Sequence, residues 1–311
     1  MAQDQDRYRC VKGERGGGEE QGYLDLVAKI LDEEGESEER LGRNGMTLSV
    51  FGQHLEFNLS TGFPLLTTKR VFWRGVAEEL FWFLRGSTDA RELMDKGVHI
   101  WDGNSSREFL DSVGLTHVET GTIGAGYGFQ WRHYSGTYPS GQGGVDQIRY
   151  ILNELTDNPH SRRIVLNAWN PCQLSQAALP PCHTMYQFYV NSKGLSCSLV
   201  CRSQDIILGT PFNIASTALL TTLLAYLLHI PVHKIVINMG DTHIYKDHVE
   251  AAKQQLSRTP YKKPTLKILR PAPNKSATID EKLYWLETLT FDDVQLDDYK
   301  CHPAIKCAMI A

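Results

Sequence analysis

The sequence predicts one globular domain that combines α-helices with β-strands. The chain has 311 residues, of which 41% are apolar and 22% are charged, and such a composition lets a chain bury a sizeable core. Helix-like and strand-like runs follow one another with no internal repeat and no linker after residue 22. Residues 1–22 are rich in Gly, Glu, Arg and Gln, so we predict a disordered tail there and a single domain over residues 23–311.

The net charge, the cysteine count and the N-terminal sequence narrow the possible functions and locations of the protein. The net charge of −4 does not suit a protein that binds polyanions over its whole surface. The seven cysteines are an odd number without regular spacing, which predicts reduced thiols and a cytoplasmic location. No charged start followed by an apolar run occurs at the N-terminus, so we expect no secretory signal.

The helices and strands follow from apolar periodicity. Helices are predicted over residues 23–31, 71–84, 145–155 and 211–229, and strands over residues 47–59, 162–169, 184–190, 195–201 and 233–238. The segment from residue 206 to residue 232 carries no charge, but polar residues interrupt it, so we predict a central buried helix and no membrane span. The Gly-, Ser- and Thr-rich segment 102–143 is unusually long for a loop, and we expect it to carry function.

Glu79 stands out because it shares one face of the predicted helix 71–84 with Phe72, Val76 and Phe83. A carboxylate on an apolar stripe is costly unless it is paired, hydrated or protonated. Two interpretations remain open: Glu79 belongs to a buried polar network, or it is a catalytic carboxylate at the floor of a pocket. Its neighbour Glu78 lies on another face, and we expect an ordinary surface pair with the Arg one turn away.

Cys182 follows two prolines, Pro180 and Pro181, and precedes His183. The prolines exclude a helix here, so the thiol is presented at the entrance of the strand 184–190. The cysteine is either a nucleophile or a small buried apolar residue. The spacing of the nearby cysteines does not match a zinc site.

Several polar side chains have the chemistry of a phosphate and nucleoside site. Arg162 and Arg163 are adjacent and form either a solvated strand end or an anion clamp. Arg202 and Ser203 could also donate to a phosphate. Asn213 lies in the first turn of the buried helix, where its amide could bind a ligand or satisfy local backbone groups. His243 and Tyr245 are two residues apart. On an extended backbone both side chains would lie on one face.

Five motifs in this order closely resemble the thymidylate synthase family. They occupy residues 63–69 (FPLLTTK), 127–132 (YGFQWR), 180–183 (PPCH), 202–213 (RSQDIILGTPFN) and 241–245 (DTHIY). Each is weak alone, whereas five in order are highly specific. The resemblance covers residues 23–311.

The resemblance implies a fold, a reaction and partners. The implied fold is α+β, with a large mixed sheet covered by helices on one face and packed against a twin subunit on the other. The implied reaction is the reductive methylation of dUMP to dTMP, with 5,10-methylenetetrahydrofolate as donor of the one-carbon unit and the hydride, and without a metal. The implied assembly is a homodimer with shared sites, and weak RNA binding is left open.

The family's functional residues map onto matching positions of this chain. The catalytic set is the nucleophile Cys182, which attacks C6 of the pyrimidine, with Glu79, Tyr127, His183, Arg202 and Asn213. The implied dUMP ligands are Arg43, Arg202, Ser203, Asp205, Asn213, His243 and Tyr245, together with Arg162 and Arg163 of the partner subunit. The implied folate pocket comprises Ile100, Trp101, Asn104, Asp205, Leu208, Gly209, Phe212, Met309 and Ala311.

Departures from the family pattern leave some alternatives. Cys201 stands where the family usually has Gln. The loop arginine is assigned to Arg43, with Arg40 as the alternative. A dCMP hydroxymethylase would share the fold but usually has Asp at the place of Asn213, so Asn213 favours uracil. A catalytically silent RNA-binding homologue is the second alternative.

Overall fold

The computed structural model describes residues 18–32, 34–42 and 44–308. Arg43, Met309, Ala311 and most of the predicted N-terminal tail lie outside these residues. The helices are α1 Glu20–Leu31, α2 Trp73–Leu84, α3 Arg91–Met94, α4 Asp102–Ser105, α5 Arg107–Ser112, α6 Tyr127–His133, α7 Gln147–Asp157, α8 Gly209–Leu227, α9 Val249–Leu256 and α10 Ile279–Glu287. The strands are β1 Glu38–Gly42, β2 Gly45–Asn58, β3 Val165–Asn167, β4 His183–Asn191, β5 Gly194–Asp205, β6 Val232–Tyr245, β7 Thr265–Ile268 and β8 Val294–Asp297.

Six strands form one mixed sheet in the order β1-β2-β6-β5-β4-β3. Its central pair, β5 and β6, is parallel, and the other neighbours are antiparallel. A parallel pair needs a long crossover, and α8 supplies it. The remaining strands, β7 and β8, pair in a separate antiparallel ribbon. The α+β class predicted for the chain is confirmed.

The crossover helix α8 is the centre of the core. It is long and apolar enough to cross a membrane by length and composition alone, but most of its side chains are buried inside the domain. It packs on β5 and β6, where Ile235, Ile237 and Met239 are buried. The prediction of a central buried helix is therefore confirmed.

The other face of the sheet is much less buried. On β6, Val236 and Asn238 alternate with the buried residues and are half-buried. On β4, Tyr189 follows the buried Phe188 and is 60% exposed. One sheet face thus holds the core, while the opposite face presents a mixture of apolar and polar side chains.

Two expectations about helix α2 are wrong. The helix begins at Trp73, so Phe72 precedes it and is 44% exposed instead of joining the buried stripe. Glu78 is buried and pairs with Lys96 at 2.6 Å, because the chain after α3 covers its face of the helix. The predicted surface partner, Arg74, lies over the ring of Phe291 instead.

The segment 102–143 is more regular than its composition suggests, since it contains α4, α5 and α6. Helix α6 carries the YGFQWR motif, and its aromatic residues Tyr127 and Trp131 are one turn apart. Both rings pack on Phe83 of α2, with ring centroids 5.0 and 5.5 Å away. The strand predicted over residues 162–169 is shorter, because only Val165–Asn167 pair with β4.

Helix α1 begins at Glu20, three residues before the predicted domain boundary, because the Glu20 carboxylate has buried partners. It accepts the backbone N–H groups of Thr67 and Thr68 at 2.8–2.9 Å and both threonine hydroxyls at 2.7 Å. One turn later, the Tyr23 hydroxyl donates to the carbonyl of Ile206 at 2.9 Å. Helix α1 thus holds in place both the FPLLTTK segment and Ile206, the residue that follows β5.

Replacement of Glu20 by Ala should lower the free energy of unfolding by about 2–4 kcal/mol, because four buried donors lose their acceptor together. Urea denaturation followed by circular dichroism measures this loss. The control is Asp25→Ala, which removes an exposed carboxylate from the same helix and should cost less than about 0.5 kcal/mol. Equal losses in the two variants would contradict the anchoring function of Glu20.

Candidate active site

Two adjoining cavities lie at the end of the sheet where β5 and β6 finish. Their volumes are about 420 and 320 Å³. Asn104, Tyr127, Leu179 and Asp205 line both, so the two cavities form one continuous site. The first is lined largely by charged and polar side chains, and the second has a mainly apolar wall.

Most of the residues predicted for the site line one of these cavities. Around the first lie Asn104, Tyr127, Cys182, Arg202, Ser203, Asp205, His243 and Tyr245. Around the second lie Glu79, Ile100, Trp101, His183, Leu208, Gly209, Phe212 and Asn213, with Asn104, Tyr127 and Asp205 again. Arg162 and Arg163 line neither, and both are exposed just before the edge strand β3.

The sulfur of Cys182 lies beside a fixed positive charge. The guanidinium of Arg202 donates to the carbonyl oxygens of Pro180 and Pro181 at 2.8 and 2.9 Å, and its Nη2 is 3.7 Å from Sγ of Cys182. The backbone N–H of Cys182 donates to the Tyr127 hydroxyl at 2.9 Å. A neighbouring cation stabilises a thiolate, which is the nucleophilic form of cysteine.

His183 is buried and neutral. Burial lowers the pKa of His183 to about 4, because charging the imidazole inside the protein is costly. Its Nδ1 is 3.2 Å from the Tyr186 hydroxyl, and its Nε2 is 2.5 Å from Oδ1 of Asn213. These contacts suit the tautomer that accepts from Tyr186 and donates to Asn213. The imidazole therefore holds the amide and does not act as the cysteine's base.

Glu79 lies in the wall of the second cavity and accepts a hydrogen bond from Nε1 of Trp101 at 2.8 Å. Burial raises the pKa of Glu79 to about 7, partly offset by the indole N–H. A carboxyl with this pKa gains and loses a proton near neutral pH. Of the two interpretations of Glu79, its place in a cavity wall favours the catalytic one.

Arg40 and Asp241 complete the polar cavity. The β1–β2 hairpin places Arg40 beside Asp241, with Nη1 2.9 Å from Oδ2. The other carboxylate oxygen is 3.0 Å from Oγ of Ser49 and 2.9 Å from Nδ1 of His243. The sequence indicates Arg40 only as the alternative to Arg43, and it predicts no function for Asp241. Asp241 lies two residues before His243 on β6, so both side chains lie on one face of the strand. This spacing is the sequence feature that could have indicated Asp241.

The second cavity suits a flat ring system. Its wall includes Trp101, Leu208 and Phe212, with Phe83 as a further aromatic residue that no sequence motif indicated. Polar groups lie at its edge, including the carboxylate of Asp205. Nδ2 of Asn104, in the same wall, is buried and has no hydrogen-bond partner among the described residues. Apolar walls with a few orienting polar atoms are typical of heterocycle sites.

The sequence matches the family model for thymidylate synthase over residues 21–311. Thymidylate synthase of Human herpesvirus 8 is 48% identical over 298 residues, which are 94% of this chain and 84% of the viral protein. The Homo sapiens thymidylate synthase is 46% identical over 293 residues, with 92% and 89% covered. A bifunctional dihydrofolate reductase-thymidylate synthase of Paramecium tetraurelia is 49% identical over 296 residues.

The match to the Paramecium protein covers 94% of this chain but 61% of that relative, so the chain spans less than two thirds of the bifunctional protein. The viral and human relatives are covered over most of their length. Since the family model matches nearly the whole chain and these relatives are 46–49% identical, the chain belongs to the thymidylate synthase family.

Proposed function

We propose that this chain converts dUMP to dTMP with 5,10-methylenetetrahydrofolate as the one-carbon and hydride donor. The observation that carries the proposal is the position of Cys182 beside Arg202, at a polar cavity that adjoins an apolar one. A nucleotide and a flat heterocycle can then meet above one sulfur atom. Membership of the thymidylate synthase family supports the same reaction.

The two cavities together offer groups for each part of dUMP. Arg202 and Ser203 are placed to donate to the phosphate, since guanidinium and hydroxyl groups are common phosphate ligands. His243 and Tyr245 lie on β6 with ring centroids 5.1 Å apart, and we assign them to the ribose. Asn213 can both donate and accept, so its amide is assigned to the edge of the pyrimidine.

Cys182 begins the chemistry when its thiolate adds to C6 of the pyrimidine; the C5–C6 π bond breaks, and its electron pair forms an enolate over C5 and O4. The charge of Arg202 stabilises the thiolate before the attack. Glu79 then takes part in moving protons to and from the pyrimidine, because its pKa of about 7 lets it act as acid and as base. Bound 5,10-methylenetetrahydrofolate supplies the one-carbon unit and the hydride. The apolar walls around it exclude water from the reacting atoms.

The open sheet face and the two exposed arginines support a homodimer. Arg162 and Arg163 line neither cavity of their own chain, so they could reach a site only in another subunit. The mixed apolar and polar face that includes the half-buried Val236 and the exposed Tyr189 suits burial against a second copy. We propose that each subunit gives its arginine pair to the partner's phosphate site, and that the enzyme is cytoplasmic, as the cysteine pattern suggests.

The proposed reaction is tested with dUMP tritiated at C5. Tritium release should accompany the rise in dihydrofolate absorbance, and dCMP labelled at the same carbon should release none. Release from dCMP alone would overturn the assignment in favour of a hydroxymethylase.

The variant Cys182→Ser should lose turnover and the denaturation-resistant adduct with 5-fluoro-dUMP and methylenetetrahydrofolate, because the hydroxyl is a far weaker nucleophile than a thiolate. Equilibrium dialysis should still detect dUMP binding, since the phosphate ligands are untouched. Retained turnover would refute the nucleophile assignment. A folded wild-type protein that forms no adduct would favour the catalytically silent alternative.

Glu79→Gln should change the pH dependence of stability in a defined direction. In the folded wild type the raised pKa of Glu79 keeps the carboxyl protonated up to about pH 7, whereas in the unfolded chain it ionises near pH 4.5. The protonated carboxyl therefore contributes its full share to the free energy of unfolding below pH ~4.5, and this share is lost as the pH rises through 7. Gln mimics the protonated form, so the free energy of unfolding of the variant should rise relative to that of the wild type between pH 4.5 and pH 7, by at most about 3 kcal/mol. Urea unfolding at pH 5, 6, 7 and 8 measures the difference.

The same variant should lower kcat by about 10²–10⁴-fold, because an amide cannot exchange the proton. A stability difference that stays flat from pH 5 to pH 8 would show that Glu79 is already ionised at pH 5. A kcat within a few-fold of wild type would remove Glu79 from the proton path.

Shared sites can be tested with mixed variants. Cys182→Ser and Arg163→Ala homodimers should each be nearly inactive, whereas a mixture refolded together should regain up to about a quarter of wild-type activity, since half of the dimers are hybrids with one intact site. Activity of the refolded mixture, set against each variant refolded alone, is the measurement. Failure of hybrids to regain activity would count against the donated arginines.

A further inference from the structure

Tyr186 is a buried residue of β4 that belongs to none of the five motifs and lines neither cavity. The register of β4 against β5 shifts between His183 and Met185. Such an irregularity lets residues an odd number apart lie on one face of a strand. His183 and Tyr186 are accordingly both buried, and the Tyr186 hydroxyl lies 3.2 Å from Nδ1 of His183.

The place opposite His183 on β5 is taken by Cys201, where the family usually has Gln. Burial raises the pKa of the Cys201 thiol, so the group stays protonated, and a thiol is only a weak hydrogen-bond donor and acceptor. Among the described residues, the hydrogen-bond partner of Nδ1 of His183 is the Tyr186 hydroxyl. The phenol therefore supplies a stronger partner for the imidazole than the thiol of Cys201 can.

The direction of this hydrogen bond follows from the proton of the phenol. Burial holds the pKa of Tyr186 well above its usual value, so the hydroxyl keeps its proton. Within the described part of the chain, Nδ1 of His183 is the group that can accept that proton. If the hydroxyl instead accepted a bond from an Nδ1–H group, its own proton would be buried without an acceptor, which is costly. The hydroxyl therefore donates, and the one ring proton of the neutral His183 lies on Nε2.

The groups on the other side of the imidazole cannot decide this arrangement. Oδ1 of Asn213 is 2.5 Å from Nε2 of His183, and Nδ2 of Asn213 donates to Oε1 of Gln204 at 3.0 Å. The two amides could turn over together while the ring proton moved to Nδ1, and each of these contacts would still pair a donor with an acceptor. Tyr186 makes the two arrangements unequal, because in the reversed one its proton loses its acceptor.

We propose that Tyr186 is a positioning residue, whose hydroxyl holds His183 in the Nε2–H tautomer and so keeps the Asn213 amide in the state that binds the nucleotide. The consequence for binding rests on the proposed function, which assigns Asn213 to the pyrimidine. The tautomer of His183 does not depend on that assignment. Tyr186 acts through His183 and does not touch the nucleotide.

The first test is the variant Tyr186→Phe, which keeps the buried ring and removes the hydroxyl. The reversed arrangement should then be populated, and the apparent dissociation constant rises by the inverse of the competent fraction. The dissociation constant of dUMP, measured by isothermal titration on the full chain, should rise about fivefold, as expected for the loss of one net hydrogen bond. The value of kcat should stay within about threefold, because bound dUMP selects the competent state.

The second test reads the tautomer directly by ¹⁵N NMR of histidine-labelled protein. Burial lowers the pKa of His183 to about 4, so at pH 7.5 the ring is neutral and its nitrogen shifts report which nitrogen carries the proton. The wild type should carry it on Nε2, and Tyr186→Phe should show both tautomers. The signals of His183 are assigned by their loss in a His183→Gln variant.

The matched control is Tyr23→Phe, which removes another fully buried hydroxyl, the donor to the carbonyl of Ile206. Both variants should lose thermal stability, but Tyr23→Phe should keep the wild-type tautomer of His183 and the wild-type affinity for dUMP. A wild type with the proton on Nδ1 would overturn the proposal, and so would a Tyr186→Phe variant with unchanged tautomer and unchanged affinity. A folded wild type that neither binds dUMP nor releases tritium would instead refute the proposed function, and the NMR measurement would still decide the tautomer.

Discussion

The guanidinium of Arg202 is the contact on which the site depends. It joins a turn of two prolines to the sulfur that follows them, because the same group bonds the carbonyls of Pro180 and Pro181 and lies beside Cys182. Prolines cannot continue a helix, so their carbonyls are available to accept these bonds. The guanidinium of Arg202 therefore holds the turn, orients Cys182 and stabilises the ionised form of its thiol.

Burial has opposite effects on the pKa values of two titratable groups in the wall of the second cavity. It raises the pKa of Glu79 and lowers the pKa of His183, because in both residues the charged form loses hydration. The result near neutral pH is a carboxyl that exchanges its proton and an imidazole that does not. Because the imidazole of His183 stays neutral, it can donate a hydrogen bond to Asn213. Burial is thus the single cause of both properties: Glu79 exchanges its proton near neutral pH, and His183 remains a neutral hydrogen-bond partner.

The sequence predicted the central sheet, helix α8 and most of the residues around the cavities, because strand periodicity and motif order carry that information. It predicted Glu78 wrongly, since helical spacing gives the face of a side chain but not what covers it, and Lys96 comes from a later segment. The contact between Gln204 and Asn213 could not be predicted for a similar reason, because it depends on how β5 packs against α8.

Charge in the polar cavity explains why a second subunit would matter. Among the described residues, Arg40 is paired with Asp241, whereas Arg202 bonds two uncharged carbonyls and keeps its positive charge. Asp205 adds another negative charge to the same wall. A phosphate that carries up to two negative charges needs cations that are not already neutralised. Arg162 and Arg163 are exposed just before the edge strand β3 and form no ion pair within the described chain, so in the proposed homodimer they would add their positive charge to that of Arg202 at the partner's phosphate site.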